Sequence, residues 1–231
     1  RRRLLGGLVM LFSDNDRDRI GSAIAGAEAR TAGEIVVIVA TEPQRYSATA
    51  LSLAALCGFA LPLLAVFGGW SPGDLFPDWD AIDPATRALR GFEAFTLVET
   101  LIFVAVLALV HFTGLGRRLT PKGLRRDRVH RAALTQFKAR GLDVTAGRTG
   151  VLIYVDEPEH IAEIIADTAV YAKVDPNHWG ATITALTDGI KAGRPADGMV
   201  AAIGLAGQVL AAHFPPVTDD INELPDHLIE L

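Results

Sequence analysis

The spacing of apolar residues changes several times along the chain. From Ser13 to Arg30, Ile20, Ala23, Ile24 and Ala27 recur as one stripe at helical spacing. Ser13 with Asp16 three residues on makes a short capping box, and Gly33 is the stop signal. Glu34 to Ala40, "EIVVIVA", is apolar without alternation and predicts a strand covered on both faces. Six residues beyond it, Tyr46 to Trp70 carries no charge. That run exceeds the about 20 residues needed to cross a bilayer core. Pro62 within it would break a soluble helix but is tolerated in a span. A second apolar run covers Ala94 to Gly116, with Glu99 near its entry at headgroup level.

Helical and strand periods then return. Arg125 to Arg140 places Val129, Ala133 and Phe137 on one helix face and ends at Gly141. Val151 to Val155, "VLIYV", predicts a second strand buried on both sides. Strand, helix, strand implies a parallel pair with a right-handed crossover. In "EHIAEIIADTAV", Ile161, Ile164 and Ile165 fit a helix face and a strand equally well. Asp175 and Pro176 read as an N-cap and first helical residue, ahead of Trp179, Ile183, Leu186 and Ile190. A last helix is expected from about Asp197 to Phe214, stopped by Pro215 and Pro216. The resulting order is a lead (1–12), the first part of an α/β domain (13–45) and a first transmembrane helix (46–70). A short external loop (71–93), a second transmembrane helix (94–116), the remainder of the domain (117–214) and an acidic, extended tail (215–231) follow. The lead has three arginines and a short apolar run but no small-residue cleavage site, which favours a start at Met10 or an unstructured lead over a signal peptide.

Charge orients these elements. The loop between the apolar runs is acidic in its first half, whereas Arg117, Arg118, Lys122, Arg125 and Arg126 crowd directly after the second run. By the positive-inside rule that basic, membrane-facing segment and the α/β domain lie on the cytoplasmic side of the cytoplasmic (inner) membrane. An even number of spans returns the chain to one side, as a single split domain requires. The net charge of −5 provides no basic field for nucleic acid. The one cysteine, Cys57, lies in the first apolar run, so no intrachain disulfide and no cysteine zinc site can form.

"IAGAEARTAGEIVVIVA" and "HRAALTQFKARGLDVTAGRTGVLIYVDEPEHIAEIIAD" resemble the TPM domain family, in its bacterial membrane-protein branch. The resemblance covers roughly Ser13 to Ala40 and Val129 to Phe214. It implies a mixed-sheet α/β/α sandwich, here interrupted by a two-helix transmembrane hairpin, and it implies that "HIAEIIA" is a strand. It also implies three kinds of activity known among members: acid phosphatase, divalent-cation binding through acidic residues near the sheet ends, and accessory or assembly roles. Many members face the outside of a membrane, whereas the charges here place this domain inside.

No Walker A loop, dinucleotide-binding glycine turn, G-x-S-x-G or H-E-x-x-H is present. With the first two strands parallel and the third antiparallel, Glu34, Arg148, Thr149 and Asp167 fall at one sheet end, beside Glu28 and Thr31. Glu28, Glu34 and Asp167 could hold a hard divalent cation, Ca²⁺ or Mg²⁺, and Arg148 a phosphate. The competing reading is a salt bridge with helix caps. The other end gathers Glu42, Asp156, Glu157, His160 and Asp175, either an acid/base or metal group or a polar turn closed by Pro158. Two functions follow: a membrane-anchored, non-enzymatic accessory module for a membrane-protein partner or a homo-oligomer in the bilayer, and a metal-dependent phosphomonoesterase.

Overall fold

The structure is a computed structural model that describes residues 12–42, 46–76, 78–216 and 223–231. The lead, with the expected start at Met10, lies almost wholly outside the described residues, as do residues 43–45 and residues 217–222 of the tail. The chain forms two compact units, one of residues 1–43 with 125–231 and one of residues 44–124.

The first unit is a mixed α/β structure. Helix α1 (Asp14–Glu28) starts at the expected capping box: Asp16 N–H donates to Ser13 Oγ and Ser13 N–H to Asp16 Oδ2. Its buried residues Ile20, Ile24 and Ala27 are the predicted stripe. Strands β1 (Ile35–Ala40) and β2 (Val151–Asp156) are buried throughout and pair in parallel. The ambiguous segment divides in two. Ile161–Ala166 is strand β3, antiparallel to β2, and Thr168–Lys173 is helix α6, capped by Asp167. Helices α7 (Trp179–Lys191) and α8 (Pro195–His213) follow, with a 3₁₀ turn at Pro176–His178 ahead of α7. The extended tail also joins the sheet: Leu228–Glu230 is a fourth strand, β4, parallel to β1, and the sheet order is β3-β2-β1-β4.

Side-chain alternation along the strands supplies both faces of the sheet. Val37, Val39, Val151, Ile153 and Val155 pack with α1, α7 and α8, whereas Val36, Ile38, Leu152 and Tyr154 pack with α5 (Lys122–Ala139) through Val129, Ala133 and Phe137. This two-sided burial is the reason β1 and β2 lack polar alternation. Helices α7 and α8 meet at glycines. A Cβ on Gly189 would lie 2.4 Å from Gly198 Cα and 2.7 Å from Gly198 N. Because backbone rather than a flexible side chain occupies that space, Gly189→Ala must push the helices apart. The expected loss is about 2 kcal/mol, read as a lowered melting temperature of the detergent-purified protein. An unchanged melting temperature would show that this contact yields freely.

The second unit contains helix α2 (Ser47–Phe67), helix α3 (Pro84–Thr113) and the short helix α4 (Leu115–Leu119). At about 1.5 Å per residue α2 is about 30 Å long, the thickness of a hydrocarbon core. Helix α3 begins ten residues before the apolar run, because Asp83 caps the N–H groups of Ala85 and Thr86 with Pro84 in the first turn. The loop is therefore shorter than residues 71–93. Ala50, Ala54, Gly58 and Pro62 are the buried residues of α2, one small-residue stripe at i, i+4 spacing. A Cβ on Gly58 would lie 3.3 Å from Phe103 Cβ and 3.5 Å from the Glu99 carbonyl, so α3 packs closely on that stripe. Large apolar side chains cover the rest: Phe59, Phe67, Phe92 and Phe112 are 68%, 81%, 69% and 83% exposed. Among the described residues three helices, α2, α3 and α8, are long and apolar enough to cross a membrane. For α8 the burial of Met199, Ala202, Ile203, Ala206 and Leu210 against the sheet accounts for its apolar character.

Candidate functional site

The antiparallel course of β3 brings the start of β1, the start of β2 and the end of β3 to one end of the sheet, as the sequence predicts. The polar contacts there fall into two groups. In the first, Arg148 adopts a left-handed backbone (φ 52°) and its Nε lies 3.4 Å from Asp167 Oδ2. Asp167 is buried and its Oδ1 also accepts from Thr168 N–H at 2.6 Å, so this carboxylate caps α6 and holds the arginine. In the second group, Glu28 Oε1 accepts from Ile35 N–H at 2.7 Å and Glu34 Oε1 from Glu223 N–H at 3.1 Å. Glu28 is pushed up to about 9, first by burial and then by a hydrogen bond with Asp226 and the negative charges of Glu34 and Asp226. It is therefore protonated at neutral pH. The hydroxyls serve the backbone: Thr31 Oγ1 donates to the Phe214 carbonyl and Thr149 Oγ1 to the Ala32 carbonyl, each at 2.7 Å.

Asp226 is a member of this end that the periodicity does not disclose. Its signal is only the acidity of the tail, which β4 folds back beside β1. Among the described residues, no group of three or more histidine, cysteine, aspartate or glutamate side chains is placed to hold a metal ion.

At the opposite end of the sheet the β2–β3 turn assembles a second polar group. Asp156 has no exposed surface, and its Oδ1 accepts from Glu159 N–H at 3.0 Å. Alternation with Leu152 and Tyr154 puts it on the α5 face of the sheet. Glu159, which the sequence reading does not single out, is also buried and receives Arg125 Nη1 at 3.1 Å. Asp156 Oδ2, Glu159 Oε1 and Arg125 Nε are buried with no hydrogen-bond partner among the described residues. Asp156 is pushed up to about 6 by burial, against the Glu159 N–H bond and with the charges of Glu159 and Glu157 adding to the rise. His160 takes a left-handed backbone (φ 55°) and is exposed, as is Glu42. On the other sheet face a cavity of about 420 Å³ opens beside Val155, Ile190, Pro195 and Met199, with Glu157 and His160 at its border.

Asp175 does not join this group. It precedes α7, whose last residues reach the cavity, and 13 helical residues span about 20 Å. Asp175 instead accepts from Asn177 N–H, next to His178, which packs edge-on to His213 at the far end of α8. Of the basic segment, Arg125 is committed to Glu159, while Arg117, Arg118, Lys122 and Arg126 are exposed.

The sequence matches no protein family model and no curated protein. The NMR structure of the BA42 protein from the psychrophilic bacterium Bizionia argentinensis is similar, with a TM-score of 0.57. The two are 20% identical over 98% of this chain and 100% of that one, a likeness of fold.

Proposed function

We infer that the chain is a membrane-anchored accessory module of the cytoplasmic membrane. In this reading a TPM-like α/β/α sandwich is carried by a two-helix transmembrane hairpin on the cytoplasmic side and binds a membrane-protein partner. The supporting observation is the apolar, outward surface of α2 and α3, where Phe59, Phe67, Phe92 and Phe112 are left exposed by the described residues. Large exposed apolar surfaces mark contact with a membrane or a protein. A phosphatase has less support, because the oxygens offered for it are used by the backbone: Thr31, Thr149, Glu28 and Glu34 cap main-chain groups and Asp167 holds Arg148.

The protein should stay with membranes through alkaline carbonate extraction. A reporter fused after Leu231 should be active only in its cytoplasmic form, and one inserted at Asp78 only in its external form. Release by carbonate overturns the anchor, and the reverse reporter pattern overturns the orientation. In-cell crosslinking followed by purification in mild detergent should recover one defined membrane protein; recovery of the chain alone would defeat the accessory role.

A further inference from the structure

Strand β3 is an outer strand of the sheet, and the register decides which of its backbone groups are spent. Asp167 N–H donates to the Gly150 carbonyl at 2.9 Å, so Asp167 and Gly150 form a hydrogen-bonded pair. Stepping by two, Ile165, Glu163 and Ile161 face Leu152, Tyr154 and Asp156. The N–H and C=O groups of Ala162 and Ile164 therefore point away from the sheet, and no described backbone group bonds them. The opposite outer strand is treated differently. β4 is three residues long and is pinned by the ion pair of Glu230 with Arg17 at 2.8 Å. β3 has six residues in unbroken register, with no proline, lysine or bulge, the devices that normally blunt an open edge.

A groove of about 480 Å³ runs along this edge between two dissimilar walls. Arg126 and His130, one helical turn apart on α5, form one wall, and Tyr171 and Ile183 the other. Alternation carries the difference into β3 itself. Glu163 lies toward α5, with Oε2 2.8 Å from His130 Nδ1, whereas Ala162 and Ile164 pack toward α7 and the core beneath it. Arg126 is exposed and forms no ion pair with any described residue. Tyr171 is 55% exposed.

We propose that β3 accepts an extended acidic segment of a partner protein as a fifth strand, its carboxylates toward Arg126 and His130 and its alternate apolar residues toward Tyr171 and Ile183. Main-chain bonds to Ala162 and Ile164 supply the pairing and the two walls supply the choice of sequence. The proposal deepens the accessory reading by naming a surface and the chemistry of what it takes. The two fail separately: loss of carbonate resistance says nothing about the edge, and loss of peptide binding leaves the anchor in place.

The test uses the full-length protein in detergent and fluorescein-labelled peptides, followed by anisotropy. The probe is Glu-Val-Glu-Val-Glu-Val. With the peptide antiparallel to β3 its valines lie opposite Ala162 and Ile164 on the same face, so valine N–H groups bond β3 and glutamate N–H groups point away. N-methylation of the valines and replacement of all glutamates by lysine should each weaken binding by about tenfold or more. N-methylation of the glutamates should leave affinity within about twofold. Arg126→Glu should reverse the preference between the acidic and lysine peptides, a result that loss of folding cannot mimic. Equal binding of the two N-methylated probes, or no binding up to about 1 mM peptide, overturns the proposal. A dimer seen by light scattering and dissociated by Ile164→Pro overturns it too, because a second β3 would then hold the edge.

Discussion

Asp156→Asn should stabilise the protein by about 3 kcal/mol at pH 8 and leave it almost unchanged at pH 4. The carboxyl titrates near the ordinary 3.8 when unfolded and near 6 when folded, because burial disfavours its charged form. At about 1.36 kcal/mol for each pH unit between the two values, the folded state carries a penalty of about 3 kcal/mol once the group must ionise. The sign follows from proton counting. Between these values the folded protein binds more protons than the unfolded chain, so stability falls as pH rises through that window and is level above it. Below 3.8 both states are protonated and the penalty vanishes. Asparagine keeps an oxygen for Glu159 N–H and replaces Oδ2, which has no partner among the described residues, by a neutral amide. Melting temperatures in detergent should therefore rise by roughly 8 °C at pH 8, given 2–4 °C per kcal/mol for a chain of this size. An equal gain at both pH values, or a loss at pH 8, would show that the buried charge is not what limits stability there.

How legible a feature is in the sequence depends on whether its cause is local. The inner strands β1 and β2 are readable because burial on both faces removes every polar position, a property of the segments themselves. The start of α1 is readable because both halves of its capping box lie within four residues. Ile161, Ile164 and Ile165 cannot be assigned by period, since residues three and four apart suit a helix face and an irregularly covered edge strand alike. Pairing with β2, fixed by distant residues, decides it. β4 is further from reach: three residues in an acidic tail become a strand only because β1 offers an open edge. The early start of α3 is a different miss. Asp83 and Pro84 are an explicit N-cap and first-turn proline, but Arg87, Arg90 and Glu93 hide the helix from a hydropathy reading. At the candidate site the gathering of Glu34, Arg148 and Asp167 follows from strand directions alone. The pairing of Glu28 with Asp226 and of Arg125 with Glu159 does not, because those partners meet only through the tail's return and the packing of α5.

Glu28→Gln should remove the remaining alkaline slope and stabilise the protein by about 2 kcal/mol at pH 8. This carboxyl rises from 4.5 to about 9, a wider window than that of Asp156. Part of the side chain meets solvent, so the stability figure is reduced well below the full conversion of that difference. The sign is the same: the proton is held more tightly in the folded state, and stability declines as pH climbs from 4.5 toward 9. Glutamine reproduces the protonated acid closely. Its oxygen accepts from Ile35 N–H, as Glu28 Oε1 does at 2.7 Å, and its amide donates toward Asp226 as the acid proton does. The two substitutions separate by pH. Asp156→Asn lessens the slope only below about pH 6, whereas Glu28→Gln lessens it from about pH 4.5 to 9 and acts alone above about pH 6. A wild-type profile already flat above pH 6 would refute a proton on Glu28. With that proton in place, Glu28 offers a hydrogen-bond donor at neutral pH rather than an anion. A hard cation would have to displace the proton before Glu28 could serve as a ligand, whereas the protonated side chain already closes the start of β1 against the returning tail.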